Sequence, residues 1–418
     1  MSSGYIEKIL GNKKFLDRGW PSRKLSRGAD GLVSLADGEW KAHRNLVTPS
    51  YAPNVLENFI PTIIEYSQLM VNDFEASGGN FIEPIHILQN HMISIVLDTS
   101  MGLRNEVDHD TRLKMKKRLT DHLNSRFDRI LRIHTWSDTI TKLINWIYGV
   151  EDETENLRKH GMMIIEKRLE RRAIRDEYDS TTSKRRNRAF LDNLLDAFVG
   201  REGGKGQKID LEGLLSELLT IMATSYETII NTTLWFMYNM ACNPSIQERL
   251  YQELADFDEK NEMMTISQIN ELQFMDQCVK ENLRIHPPVC NMVRKTSEKV
   301  ELDGYIVPKG TLTCTFIYCV HHDEKIYPDP DKFDPSRFEP QNLAKIPSGA
   351  YIPFGDGPRR CIGERLANLE AKIIFSSIIK RFRIVPFEAE KVRVTLDLLT
   401  RTTEPLKFRF IRREKVLT

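Results

Sequence analysis

The stretch Phe354-Gly-Asp-Gly-Pro-Arg-Arg-Cys-Ile-Gly-Glu-Arg-Leu-Ala367 decides how the rest of this chain is read. Gly355, Gly357 and Pro358 force a tight turn, so the backbone can approach whatever lies beside it. Cys361 follows at the start of an expected helix, where the helix dipole favours a thiolate. Arg359 projects a cation toward the same place. Gly363 and Ala367, four residues apart, leave that helix a smooth face against which a flat ligand can rest.

Outward from this loop the chain is mainly α, with a small β portion late in the sequence. Residues 322–354 are rich in Pro, Asp and Phe without regular period, which predicts an ordered but irregular approach to the loop. Val300 to Phe316 alternates and contains Gly304 and Pro308-Lys-Gly310, the pattern of a hairpin. A long helix is expected from about Ile209 to Met240, ended by Asn243-Pro244, with further helix to about Ile285 and a stop at Pro287-Pro288. Residues 40 to about 200 read as successive amphipathic helices. Within them, Glu166 to Arg188 is expected to be a solvated charged helix and loop, and Arg201 to Gln207 a flexible linker. A helix after Cys361 should run to about Phe382, followed by short strands. No internal repeat interrupts this order, so residues 1–418 are read as one large helical domain.

Sixty basic and 59 acidic residues leave a net charge of +1, which exerts no global pull toward nucleic acid or anionic membrane. The six cysteines form no C-x-x-C pair and suit reduced thiols rather than a disulfide framework. Met1-Ser2-Ser3-Gly4 opens no signal peptide, and no apolar run is long enough to span a bilayer.

A thiolate, a neighbouring cation and a bare helix face suit haem iron, whose propionates need cationic partners. The complete pattern F-x-x-G-x-R-x-C-x-G stands here as Phe354, Gly357, Arg359, Cys361 and Gly363. On those five spaced positions the chain resembles the cytochrome P-450 family of haem-thiolate monooxygenases. The pattern is of the microsomal type, nearest the branch of fatty-acid hydroxylases and insect detoxification enzymes. The resemblance implies the cytochrome P-450 fold and haem b with Cys361 as the axial iron ligand. It also implies O2, a small apolar substrate and an NADPH-dependent reductase as partners.

The resemblance extends through the chain. E-x-x-R and P-x-R-F are matched by Glu281, Arg284 and Pro335-Ser336-Arg337-Phe338, implying a buried structural triad behind the cysteine loop. The tetrapeptide E-N-L-R occurs twice, and only the copy at Glu281 is followed by Pro287-Pro288 and P-S-R-F. The copy at Glu155 is expected to be an exposed pair with Arg158. Trp40 and Arg44 match W-x-x-x-R, and with Arg294 and Arg359 they are implied to hold the propionates. In the long helix, Ile221 to Ile229 aligns with A-G-x-[DE]-T-[TS], making Glu227 and Thr228 the implied catalytic acid and alcohol that relay protons. Thr224-Ser225 stands where the family has Ala-Gly, and Ile229 replaces its second hydroxyl residue. Many relatives in this branch carry a Glu at the Thr224 position that esterifies the haem; Thr224 cannot, so non-covalent haem is expected.

Substrate contacts are expected from the loop before Trp40, Met222–Thr228, Val289–Val293 and Leu399–Thr402. Full-length microsomal relatives carry a further N-terminal section with a membrane anchor and the first strands. Without that section the hairpin at 300–316 is expected to have an unpaired edge and an uncovered apolar face. The family implies the cytosolic face of the endoplasmic reticulum membrane, while Leu143 to Tyr148 reads equally as a membrane-facing patch or an ordinary helix face. Three rivals remain. One is a haem-thiolate isomerase or dehydratase that needs no reductase, and another is an inactive haem-binding truncated form. The third, a zinc site at Cys319, His321 and His322, has spacing that fits a tetrahedral metal poorly.

Overall fold

The helix Leu211–Cys242 runs through the middle of the molecule, as its apolar residues on every side require. Asp210 caps its start by accepting the Gly213 N–H, and Asn243 ends it one residue before Pro244 opens the next helix. The computed structural model describes residues 3–26, 30–104, 106–131, 137–148, 153–178, 189–200, 208–258, 265–387, 392–397 and 399–414. The expected linker at 201–207 and the end of the charged stretch, 179–188, lie outside the described residues.

Three helices build the main core with the central one: Ile60–Glu75, Ile85–Asp98 and Glu364–Arg381. Phe236 of the central helix stacks on Phe375 with ring centres 3.7 Å apart, tying it to the helix that follows the cysteine loop. Phe74 stacks on Phe410 at 4.4 Å, fastening the core to a three-stranded sheet of Phe81–Ile82, Phe408–Arg412 and Phe382–Pro386. The mainly α reading therefore holds.

Local differences from the expected elements have physical causes. The helix expected from Pro244 to Ile285 is three helices, Pro244–Asp258, Ile266–Ile269 and Gln273–Ile285. Thr265 and Gln268 form a reciprocal capping box that starts the middle one afresh. The hairpin is shorter than expected: Val300–Leu302 turns at Asp303-Gly304, both with positive φ, directly into Tyr305–Val307. The next strand, Leu312–Phe316, pairs antiparallel with Asn291–Lys295 instead.

The apolar face of this region is not bare. Ile6, Ile9 and Leu10 of the helix Ser3–Leu10 pack with Val300, Leu302, Ile317 and Ile352 in a second small core. Tyr305, Ile306, Leu312 and Phe316 remain exposed, and among the described residues Leu312–Phe316 pairs on one edge only.

The charged helix Glu153–Tyr178 is less solvated than its composition suggests. Arg168 reaches Glu106 at 2.8 Å and Asp192 at 3.0 Å, and Arg172 pairs with Asp196. Leu143, Trp146 and Ile147 on the helix Asp138–Tyr148 are exposed, Trp146 by 80%. Among the described residues no helix is long and apolar enough to cross a membrane.

Candidate functional site

The cysteine loop is shaped by what crosses behind it. Gly357 has φ +68°, and a Cβ there would lie 2.1 Å from the Leu10 carbonyl oxygen, so only glycine admits the end of the first helix. The Asp356 side chain accepts the Gly357 N–H at 2.7 Å, and the Phe354 carbonyl accepts the Cys361 N–H at 2.9 Å. The helix begins at Glu364, with Gly363 as its cap. Cys361 is accessible yet enclosed. Burial is the main influence on its thiol and pushes its pKa up, while a Gly363 N–H and the charges of Arg44 and Arg18 pull it down. This is the signature of a residue facing a hollow inside the fold.

Four guanidiniums gather around that hollow. Arg294 is 1% exposed, and its Nη1 donates to the Val293 carbonyl while Nε and Nη2 have no partner. Arg18 likewise keeps an unpartnered buried Nε. Burial first, then the charge of Arg18, pushes Arg294 down to about 8 and Arg359 down to about 9. Arg44 is lowered by burial and feels the charge of Cys361. Among the described residues none of these four forms an ion pair with a carboxylate. Buried like charges with idle donors are costly unless an anion completes them.

Arg359 has a further duty. Its Nε donates to the Leu16 carbonyl at 2.9 Å, Nη1 to Leu32 at 3.1 Å and Nη2 to Leu35 at 2.6 Å. The Trp40 ring lies 4.3 Å from its guanidinium carbon. It thus ties the loop before Trp40 to the cysteine loop, leaving one N–H on each Nη for another acceptor. Arg18 is the member that motif reading missed; it lies just before the helix Gly19–Ser26, where no motif marks it.

The triad behind the loop assembles as expected. Arg284 donates to Glu281 through Nε at 2.7 Å and Nη2 at 2.9 Å, with both residues at 0% exposure. Arg337 Nε lies 3.4 Å from Glu281 Oε1, which also accepts the Asp334 N–H at 2.9 Å. Burial pushes the Glu281 carboxyl up, and Arg284 holds it down. The other E-N-L-R copy departs from expectation. Glu155 is exposed, but Arg158 makes a two-pronged pair with Glu212 at the start of the central helix, at 2.8 and 2.5 Å. Arg158 is thus an interhelix clasp rather than a purely local partner.

His321 serves the triad, not a metal. Its Nδ1 donates to the Arg284 carbonyl at 3.1 Å, and its Nε2 accepts the Ile352 N–H at 2.9 Å.

On the central helix, Thr228 donates its hydroxyl to the Thr224 carbonyl at 2.7 Å, and Thr224 donates to Thr220 at 2.8 Å. Both threonines thus bond back along the helix. Glu227 projects elsewhere: it pairs with Arg401 and lines a cavity of about 400 Å³ with Tyr226, Asn231 and Leu399. Three of the expected substrate segments meet here. Thr400 donates its N–H to Pro288 at 3.0 Å, Leu399 bridges to Val289, and Asn231 Nδ2 donates to the Thr400 carbonyl at 2.8 Å.

The accessible Cys361 thiol, the like-charged guanidiniums near it that no carboxylate answers, and the idle donors of Arg294 and Arg18 fit a haem-thiolate ligand and its two propionates. The chain belongs to the cytochrome P450 family, whose sequence model, described as Cytochrome P450, matches residues 1–410. It is 28% identical to Cytochrome P450 4c21 of Blattella germanica over 416 residues, covering 96% of this chain and 81% of that protein. It is 28% identical to Cytochrome P450 4c3 of Drosophila melanogaster over 410 residues, covering 94% and 75%. Cytochrome P450 4V2 of Mus musculus is 26% identical over 434 residues, covering 98% and 79%. Membership makes the chain a cytochrome P450 monooxygenase using non-covalent haem b with cysteine-ligated iron.

Proposed function

We propose that this chain inserts one oxygen atom of O2 into an apolar organic substrate, a lipid, a hormone-like terpenoid or steroid, or a xenobiotic. Electrons come from an NADPH-dependent reductase at the cytosolic face of the endoplasmic reticulum. Cys361 is the iron ligand, Phe354, Gly357 and Gly363 shape its loop, and Trp40, Arg44, Arg294 and Arg359 hold the propionates, joined by Arg18. The observation that carries the reading is the cluster of guanidiniums without a carboxylate near the accessible thiol of Cys361, with idle buried donors on Arg294 and Arg18.

Bound haem supplies the redox centre at which dioxygen is reduced, with the thiolate favouring O–O cleavage. The chain's own residues manage protons. The overall reaction consumes two, because one oxygen atom enters substrate and the other leaves as water. The Thr228 hydroxyl, its hydrogen on the Thr224 carbonyl, can accept a proton and release its own. Glu227 can resupply it once Arg401 lets go.

A reduced carbon monoxide difference spectrum tests the site. A Soret band far to the red is expected, and its absence with Cys361 present would overturn the reading. NADPH-dependent oxygen consumption separates a monooxygenase from an isomerase or dehydratase.

A further inference from the structure

We propose that His43 and Glu217 head a second proton route to Thr228, along a row of threonine hydroxyls on the central helix. The inference rests on Thr228 being the hydroxyl that delivers protons.

Glu217 is a buried carboxylate that the reading above does not use. It is 0% exposed; its Oε1 accepts from His43 Nδ1 at 2.7 Å and its Oε2 accepts the Leu32 N–H at 3.2 Å. His43, on the helix Asp37–Val47, keeps 19% of its side chain accessible, so the pair joins solvent to the interior.

The direction of the row follows from helix geometry. Residues 217 and 228 are three turns apart and share one face, on which Thr220 and Thr224 lie between them. A Cβ on Gly31 would lie 2.5 Å from Thr220 Oγ1 and 2.9 Å from Glu217 Oε2, so both oxygens crowd one point beneath that glycine. Beyond Thr220 the hydroxyls recur every four residues, a rise of about 6 Å. One water making two hydrogen bonds of about 2.8 Å spans such a gap. Thr220 is buried, whereas Thr224 and Thr228 are half-buried. The back-bonds to Thr220 and Thr224 carbonyls leave the lone pairs of Thr224 and Thr228 available to such waters.

Glu227 points about 100° away around the helix and must release Arg401 before it can take a new partner. Among the described residues no Lys or Arg pairs with Glu217; its side-chain partner is the His43 imidazole. A proton passes from solvent through His43 to Glu217. It then passes through alternating waters and hydroxyls, each accepting one proton and giving up its own, so the route ends unchanged. The reductase supplies the electrons, and the two delivered protons leave with the second oxygen atom as water, the product hydroxyl keeping the hydrogen of the substrate C–H.

The test uses the haem-loaded full chain with its reductase. Glu217→Gln and Thr220→Val should each raise peroxide released per O2 consumed by roughly tenfold. That is less than the ~10²–10⁴ of a sole proton donor, because Glu227 remains. Both variants should keep the wild-type carbon monoxide spectrum. Thr220→Val, isosteric and uncharged, carries the test if the glutamine variant fails to assemble. A crystal structure should show ordered water between the hydroxyls of Thr220, Thr224 and Thr228, and a dry row would overturn the proposal. Unchanged peroxide release in Thr220→Val, while Thr228→Ala raises it, would sink the route and leave Thr228 in place. If Thr228→Ala also changes nothing, the parent reading falls too.

Discussion

Two buried charge clusters flank the cysteine loop, and they differ in whether the protein completes them. Around Glu281 the carboxylate answers the buried cation: Arg284 reaches it and also the carbonyls of His321 at 2.8 Å and Pro330 at 2.7 Å, and among the described residues only Arg337 Nε, 3.4 Å from Glu281, is left without a hydrogen bond. Around Arg294, donors idle among like charges. A finished network holds shape, whereas an unfinished one stores affinity for what is missing.

The largest effect should come from breaking the finished cluster. Glu281→Ala strands Arg284 at 0% exposure and should cost about 3–5 kcal/mol, read as loss of cooperative folding in denaturant. Arg294→Leu should act in opposite directions on two measurements. Haem affinity should fall by about 2–5 kcal/mol, while the haem-free protein should melt higher as like-charge crowding is relieved. If both fall together, Arg294 belongs with the finished cluster and the contrast fails.

The third test is a pH dependence. His321 is pushed down to about 3 by burial and then by the charge of Arg284. Between the ordinary histidine value near 6.5 and that value, the unfolded chain binds a proton that the folded chain refuses. Stability is therefore lost as pH falls below about 6.5, by up to about 1.4 kcal/mol per pH unit from this site. His321→Gln should flatten that slope in acid denaturation series. The smallest effect belongs to the other E-N-L-R copy: Glu155→Ala should cost no more than about 0.5 kcal/mol in thermal melts. Arg158→Ala should cost more, because its two bonds to Glu212 join two helices.

What the sequence made legible was local. Cys361, Gly357 and Gly363 sit within one loop, and Glu281 and Arg284 within one helical turn, so spacing alone relates them. Arg18, the Glu227–Arg401 pair and His43–Glu217 escaped because their relations are tertiary; His43 and Glu217 are 174 residues apart. The hairpin is shorter than its alternation suggests for a similar reason. Alternation marks each strand, but nothing local says that Leu312–Phe316 prefers Asn291–Lys295 over its nearer neighbour. The back-bonded threonines were the opposite case, visible as a four-residue spacing yet silent about which face they presented.

The first helix has a consequence for the order in which the molecule is made. Lys8 pairs with Asp303 across 295 residues of chain, and Ile6, Ile9 and Leu10 find their apolar partners between Val300 and Ile352. At a synthesis rate of about 5–20 residues per second, those side chains wait roughly 15–60 seconds for a surface to cover. During that interval this greasy segment of the nascent chain has no native shelter. The turn at Gly357, which admits the end of this helix, emerges later still. The cysteine loop therefore closes only when two segments about 350 residues apart in the chain meet.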